Sequence, residues 1–108
     1  MDLLTWLQGW FFAQCDGDWE HEFGVEITTL DNPGWRVVID LSGTDLDAAP
    51  FSAADSRRSE HDWFHCEVAD KKFKIACGPT SLADALDVFR TWADAQSFER
   101  RKQRRLGG

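Results

Sequence analysis

Tyrosine is absent from the 108 residues, methionine occurs once and proline three times. Aromatic side chains nevertheless make up 13% of the chain, as six Trp and eight Phe. They are read as a compact aromatic core, with a few available as interface anchors, where Trp is enriched. Cys15, Cys66 and Cys77 are odd in number and form no CxxC pair. This argues against a disulfide framework and fits a reducing cytoplasm, each thiol acting as a small buried hydrophobe. No apolar run approaches the ~20 residues that span a bilayer. The apolar start Leu3–Phe12 follows Asp2 rather than a basic stretch, so it does not read as a secretory signal. The chain is expected to stay in the cytoplasm and to have no membrane partner.

Basic residues are almost missing from the first half. Through Asp47 there are ten acids against Arg36 alone. Arg100, Arg101, Lys102, Arg104 and Arg105 supply a late basic run, without which the net charge of −7 becomes −12. Such an acidic body repels nucleic acid and steers toward a basic protein, although solubility alone accounts for the charge equally well. At this length one domain over residues 1–108 is expected, with a basic helical tail over about 99–108. It buries roughly two-thirds of its unfolded surface without staples.

Asp2 is placed to cap a first helix running through Gln14 and ended by Gly17. Leu3, Leu7, Trp10 and Gln14 share one face; Leu4, Phe11 and Cys15 widen it, and Trp6 and Phe12 make the helix apolar almost all round. That pattern favours a helix sandwiched in the fold over one used at an interface. From Trp19 the period becomes two. Trp19, His21, Phe23, Val25, Ile27 and Thr29 alternate with Glu20, Glu22, Gly24, Glu26 and Thr28, which predicts a half-buried strand with carboxylates on its outer side. Asp31-Asn32-Pro33-Gly34 is a turn, Gly34 taking the positive φ, before a strand with Trp35, Val37, Ile39 and Leu41 inward. To keep both apolar sets on one face, Thr29 must oppose Trp35 or Val37. The connection then has three or five residues, or carries a bulge.

Asp45–Glu60 shows no period and is predicted as a mobile surface loop with Pro50 and Phe51 as its anchor. Asp62–Val68 and Lys72–Cys77 form two more strands, with Phe64, Cys66 and Val68 against Phe73, Ile75 and Cys77. Trp63 then points outward, which core packing does not explain. After Gly78-Pro79, Ser81 and Asp84 resemble a capping box for a helix that buries Leu82, Ala85, Leu86, Phe89, Trp92, Ala93 and Gln96. The expected fold is α+β, a four-stranded antiparallel sheet with an N-terminal and a C-terminal helix on one face, in the order α-β-β-β-β-α.

No constellation for catalysis emerges. The cluster Asp16-Gly17-Asp18-Trp19-Glu20-His21-Glu22 fails the calcium-loop pattern, with His21 at the sixth position and Ile27 at the twelfth. His61 and His65, four residues apart in a strand, would lie about 13 Å from each other, too far to share a zinc ion. No carboxylate is marked as lying beside a base, and no phosphate-cradling loop is present. The chain is read as a non-enzyme with no metal and no cofactor.

Taken together, several segments resemble the immunity protein 53 family: Leu7–Trp10, Gln14–His21 with Gly24, Thr29–Trp35, and Ile39-Asp40-Leu41 with Thr44. Trp63, Phe73, Gly78-Pro79, Leu82, Phe89 and Trp92 continue the pattern. Cys77 stands where the family suggests Gly, and the Arg100–Arg105 extension is no recognised family feature. The resemblance implies a bacterial protein encoded beside a polymorphic toxin, which it binds and neutralises; it carries no catalytic residues to transfer. Nuclease toxins are common in such systems, and their basic clefts suit an acidic body. The expected partner surface comprises Asp16, Asp18, Glu20, Glu22, Glu26 and Asp40, with Trp63 as an aromatic anchor. The same motifs are equally suited to shaping the backbone. The expected state is a monomer or weak homodimer. Alternative readings are a homo-oligomeric module that self-associates through the first helix or Trp63, and a nucleic-acid-binding regulator acting through the basic tail.

Overall fold

The computed structural model describes the backbone of residues 1–107 and the side chains of residues 1–98. The side chains of the basic run Arg100–Arg105 lie outside the described residues. Asp2 begins the first helix as expected: its carboxylate accepts the Thr5 backbone N–H at 2.8 Å and caps α1 (Leu3–Gln14). One helical turn, α2 (Trp19–Glu22), precedes the strands β1 (Val25–Leu30), β2 (Gly34–Asp40), β3 (Ala54–Arg57), β4 (Trp63–Ala69) and β5 (Lys72–Cys77). The last helix, α3, spans Leu82–Gly107. The sheet is antiparallel throughout, in the order β1-β2-β5-β4-β3.

Five strands stand where four were expected. The additional β3 lies inside the stretch read as a loop, and its sequence Ala-Asp-Ser-Arg has no apolar alternation. It is an edge strand, held by backbone pairing with β4 from Ala54↔Cys66 to Arg57↔Trp63. The anchor in that stretch is where the sequence placed it. Phe51 sits 5.0 Å from the Phe73 ring and 5.1 Å from Trp92, and Trp92 Nε1 donates to the Pro50 carbonyl at 2.8 Å.

A second correction concerns Trp19–Glu22, expected as strand and found as helix. Asp16 Oδ1 accepts the backbone N–H groups of Asp18 and Trp19, both at 2.9 Å, while Glu20 reaches back to those of Asp16 and Gly17. These local bonds give the backbone an alternative to a sheet ladder. Strand pairing starts only at Gly24, whose carbonyl accepts the Asp40 N–H at 3.0 Å.

The β1–β2 hairpin has the expected register. Thr29 opposes Trp35, and three residues, Asp31 to Pro33, connect Leu30 to Gly34. Gly34 does not take a positive φ; among the described glycines Gly17 and Gly43 do. Glycine is required there because a Cβ would run into the Cys77 carbonyl oxygen of the neighbouring strand. The β4–β5 turn places Asp70 and Lys71 at φ 55° and 58°, the left-handed pair that matches strand twist in a two-residue hairpin.

The core lies between one sheet face and the helices. Val37, Ile39, Cys66, Phe73, Ile75 and Cys77 meet Ala85, Leu86, Phe89, Trp92 and Ala93 of α3. Phe73 is the hub, 5.0 Å from Phe89 and stacked on Trp92 at 5.6 Å. Burying each such ring stabilises the fold by about 1.5–3 kcal/mol. The helix α1 leans on the same cluster through Trp6, Leu7 and Trp10, with Trp10 5.1 Å from Phe89. It is not sandwiched. Only Leu7 is fully buried, and Leu4, Phe11 and Phe12 face solvent.

Ser81 and Asp84 do not form the expected capping box. The buried Ser81 hydroxyl accepts the Trp63 N–H and donates to Asp62, pinning β4 to the start of α3. Asp84 pairs instead with Arg58 at 2.8 Å. Cys66 and Cys77 are buried as expected, burial pushing the Cys66 thiol up to about 12. Cys15 is only half-buried.

Candidate partner-binding surface

The structure divides the seven expected site residues among three places. Asp16, Asp18 and Glu20 form the exposed connection between α1 and α2. Its floor is Trp19, buried against Trp10 and Phe11 and donating through Nε1 to the Ser42 carbonyl at 2.8 Å. The Asp16 carboxyl is held below its ordinary range by the N–H groups of Trp19 and Asp18. Glu20 is lowered by its own backbone N–H and by those of Asp16 and Gly17. Both therefore remain anionic while shaping the loop. Asp18 and Glu22 are exposed, and their carboxylates have no such task.

Glu22, Glu26 and Asp40 come together around an open cleft of about 330 Å³ that Val38 and Lys72 also line. Asp40 is engaged there, accepting the Gly24 N–H and the Lys72 ammonium, each at 2.9 Å. Trp63 lies elsewhere. It sits on β4 beside Arg57 of β3, at the end of the sheet away from Asp40. The six residues from Ala69, which adjoins the Asp40–Lys72 pair, to Trp63 span about 20 Å. Its half-buried ring packs over Gly78, whose missing side chain makes room for it. That packing is the account of an outward Trp that the sequence did not supply.

The outer sheet face carries both charges, rather than carboxylates alone. Across the strands one row reads Glu26, Val38, Lys74, Glu67 and the next Thr28, Arg36, Ala76, His65, Asp55. His65 is paired through Nδ1 with Asp55, which raises its pKa, and Glu67 adds to this at 3.8 Å.

The distribution of ion pairs separates the two halves of the chain. Among the described residues every ion pair takes its carboxylate from Asp40 onward: Arg58 uses Asp62 and Asp84, Lys71 uses Asp47, Lys72 uses Asp40, Lys74 uses Asp70 and Arg90 uses Asp87. The carboxylates of Asp2, Asp16, Asp18, Glu20, Glu22, Glu26 and Asp31 are compensated by none of these cations. The sequence showed the imbalance of charge but not that Arg58, Lys71, Lys72, Lys74 and Arg90 are engaged by later acids.

Comparison with known families then decides the assignment. The model of immunity protein 53 matches residues 4–94, most of the chain. The chain belongs to the immunity protein 53 family. The family match covers α1, α2, the whole sheet and the first half of α3, and it ends before the basic run. No curated protein and no solved structure matches the chain. Several residues that carry the family resemblance have structural tasks here. Asp16 and Trp19 order the α1–α2 connection, Gly34 permits close strand approach, and Trp35 Nε1 donates to the Pro79 carbonyl at 3.2 Å. Among the described residues no group of three or more His, Cys, Asp or Glu could hold a metal ion, and no helix is long and apolar enough to cross a membrane.

Proposed function

We propose that this immunity protein binds a cognate bacterial toxin in the producing cell's cytoplasm and neutralises it by contact, without catalysis. The partner surface is cationic, as the basic cleft of a nuclease would be. The observation that carries this reading is that, among the described residues, no ion pair uses a carboxylate before Asp40, whereas the Lys and Arg ion pairs all use Asp40 or later acids. Unpaired surface carboxylates stay hydrated, and their cost in water is only a screened mutual repulsion. Facing a cationic partner they accelerate association and discriminate against wrong partners. Within the segment Asp18, Glu22 and Glu26 contribute charge directly, and Asp16 and Glu20 contribute charge while holding the loop that presents it.

The test is co-expression with the protein encoded by the adjacent reading frame. The expected result is a stable complex and a neighbour that arrests growth only when this chain is absent. A harmless neighbour that never co-elutes would contradict the proposal.

A further inference from the structure

The helix α1 exposes three large apolar side chains, interspersed with Thr5, Gln8 and Gly9, on the side turned away from the core. Phe12 is 77% exposed, Leu4 62% and Phe11 36%. Its inner side is fully occupied by Trp6, Leu7 and Trp10 against α3 and the sheet, so no slack in the core explains the outer residues. An exposed apolar patch rimmed by polar and charged residues is the kind of surface that marks a contact site.

What can cover this face is decided by charge. No Lys or Arg occurs before Arg36, while seven acids do. The apolar ridge is therefore bounded by Asp2 at one end and by Asp16 and Asp18, which follow α1 in the chain, at the other. Phe11 packs on the buried Trp19, the floor of the acidic connection, at 6.0 Å between ring centroids, which sets the ridge and the connection side by side. A second copy packed symmetrically on it would bring like charges together. An anionic lipid surface or a nucleic acid would be repelled. A cationic protein with an apolar recess fits both parts at once.

We propose that Leu4, Phe11 and Phe12 are the apolar anchor of the toxin interface, inserted into a recess on the cognate toxin while the carboxylates of Asp16 and Asp18 meet a basic rim around it. This rests on the toxin-binding reading above and adds where the binding free energy resides. Interfaces concentrate affinity in a few central desolvated side chains, aromatic ones above all, and leave charge to the rim.

The experiment measures binding of the adjacent-encoded toxin to purified wild-type chain, to Leu4→Lys/Phe12→Lys, to Leu4→Ala/Phe12→Ala, and to the outer-sheet control Arg36→Ala/Arg57→Ala. Circular dichroism and Tm verify the fold of each. Because Leu4 and Phe12 lie in solvent, the alanine pair is expected to fold as wild type. Expected are a loss of affinity of about 30-fold or more for the alanine pair, a larger loss for the lysine pair, and wild-type affinity for the control. If wild type binds and both helix variants bind equally well, the anchor is elsewhere and only this inference falls. If wild type does not bind the toxin, the toxin-binding reading falls and takes the anchor with it. If the free chain is a dimer that the lysine pair converts to monomer while toxin binding persists, the ridge serves a second copy and the inference is overturned.

Discussion

Asp16 and Glu20 each hold the other's stretch of backbone. Asp16 Oδ1 accepts from the N–H groups of Asp18 and Trp19 at 2.9 Å, and Glu20 accepts from those of Asp16 and Gly17 at 3.0 Å. The exchange satisfies donors that the short α2 turn leaves free, and it sets Trp19 beneath Trp10 and Phe11. Two of the carboxylates in the acidic segment therefore build the surface, and two others, Asp18 and Glu22, only decorate it.

That division predicts opposite responses to substitution. Asp16→Ala and Glu20→Ala should each lower Tm by a few degrees, because N–H groups lose their acceptors. Asp18→Ala and Glu22→Ala should leave Tm within error of wild type. Thermal unfolding followed by circular dichroism distinguishes them, and equal effects from all four would contradict the assignment.

The aromatic hub makes a stability prediction. Phe73 is fully buried among Phe51, Phe89 and Trp92. Phe73→Ala should destabilise the fold by about 3–5 kcal/mol through lost transfer free energy and the cavity left behind. Denaturant titration reads the loss directly. A cost under about 1 kcal/mol would mean that the surrounding rings collapse into the space.

Gly34→Ala is a smaller substitution with a large expected effect. Its Cβ would strike the Cys77 carbonyl oxygen, which belongs to backbone and cannot swing aside. Separating β2 from β5 at that point should cost roughly 1–3 kcal/mol. Gly9→Ala is the control, since nothing lies within 4 Å of the added methyl, and a helix interior favours alanine. Equilibrium unfolding of both variants checks the contrast.

His65 should titrate above its ordinary value of about 6.5. Its hydrogen bond to Asp55 is the main cause, the negative charges of Asp55 and Glu67 add to it, and Ala76 across the strand is neutral. A raised folded pKa means that the pairing stabilises fully below about 6.5 and is lost as pH rises through the folded midpoint. The site is half-exposed, so the effect on Tm is small. Proton NMR titration of the ring gives the midpoint, and Asp55→Asn should return it toward the ordinary value. A wild-type midpoint at or below about 6.5 would contradict the pairing.

Much of this architecture was legible in the residues. The alternation in Trp35–Leu41 and Lys72–Cys77 reflects strands with one face on the core, and the register of Thr29 against Trp35 followed from keeping two apolar sets together. The errors have local causes. Residues Trp19 to Phe23 alternate as a strand does, but side-chain carboxylates from Asp16 and Glu20 captured the backbone first. The strand β3 has no apolar signal because edge pairing needs only its backbone. The site was visible as charge and invisible as arrangement. Sequence grouped Glu20, Glu22 and Glu26 on one strand face, whereas Glu20 folds back over the loop and Glu22 and Glu26 line the cleft beside it. The outer side of α1 was misread because an all-round apolar helix fits burial and contact equally well.

The most direct test of the account is the association rate of the purified chain with the adjacent-encoded toxin, measured by stopped flow across rising salt for wild type and for Asp18→Asn/Glu22→Gln. Wild-type association should fall steeply as salt screens the acidic segment. The double variant should associate about tenfold more slowly at low salt and converge with wild type at high salt. Equal rates at low salt, or wild-type association indifferent to salt, would contradict a partner surface built on the acidic N-terminal segment.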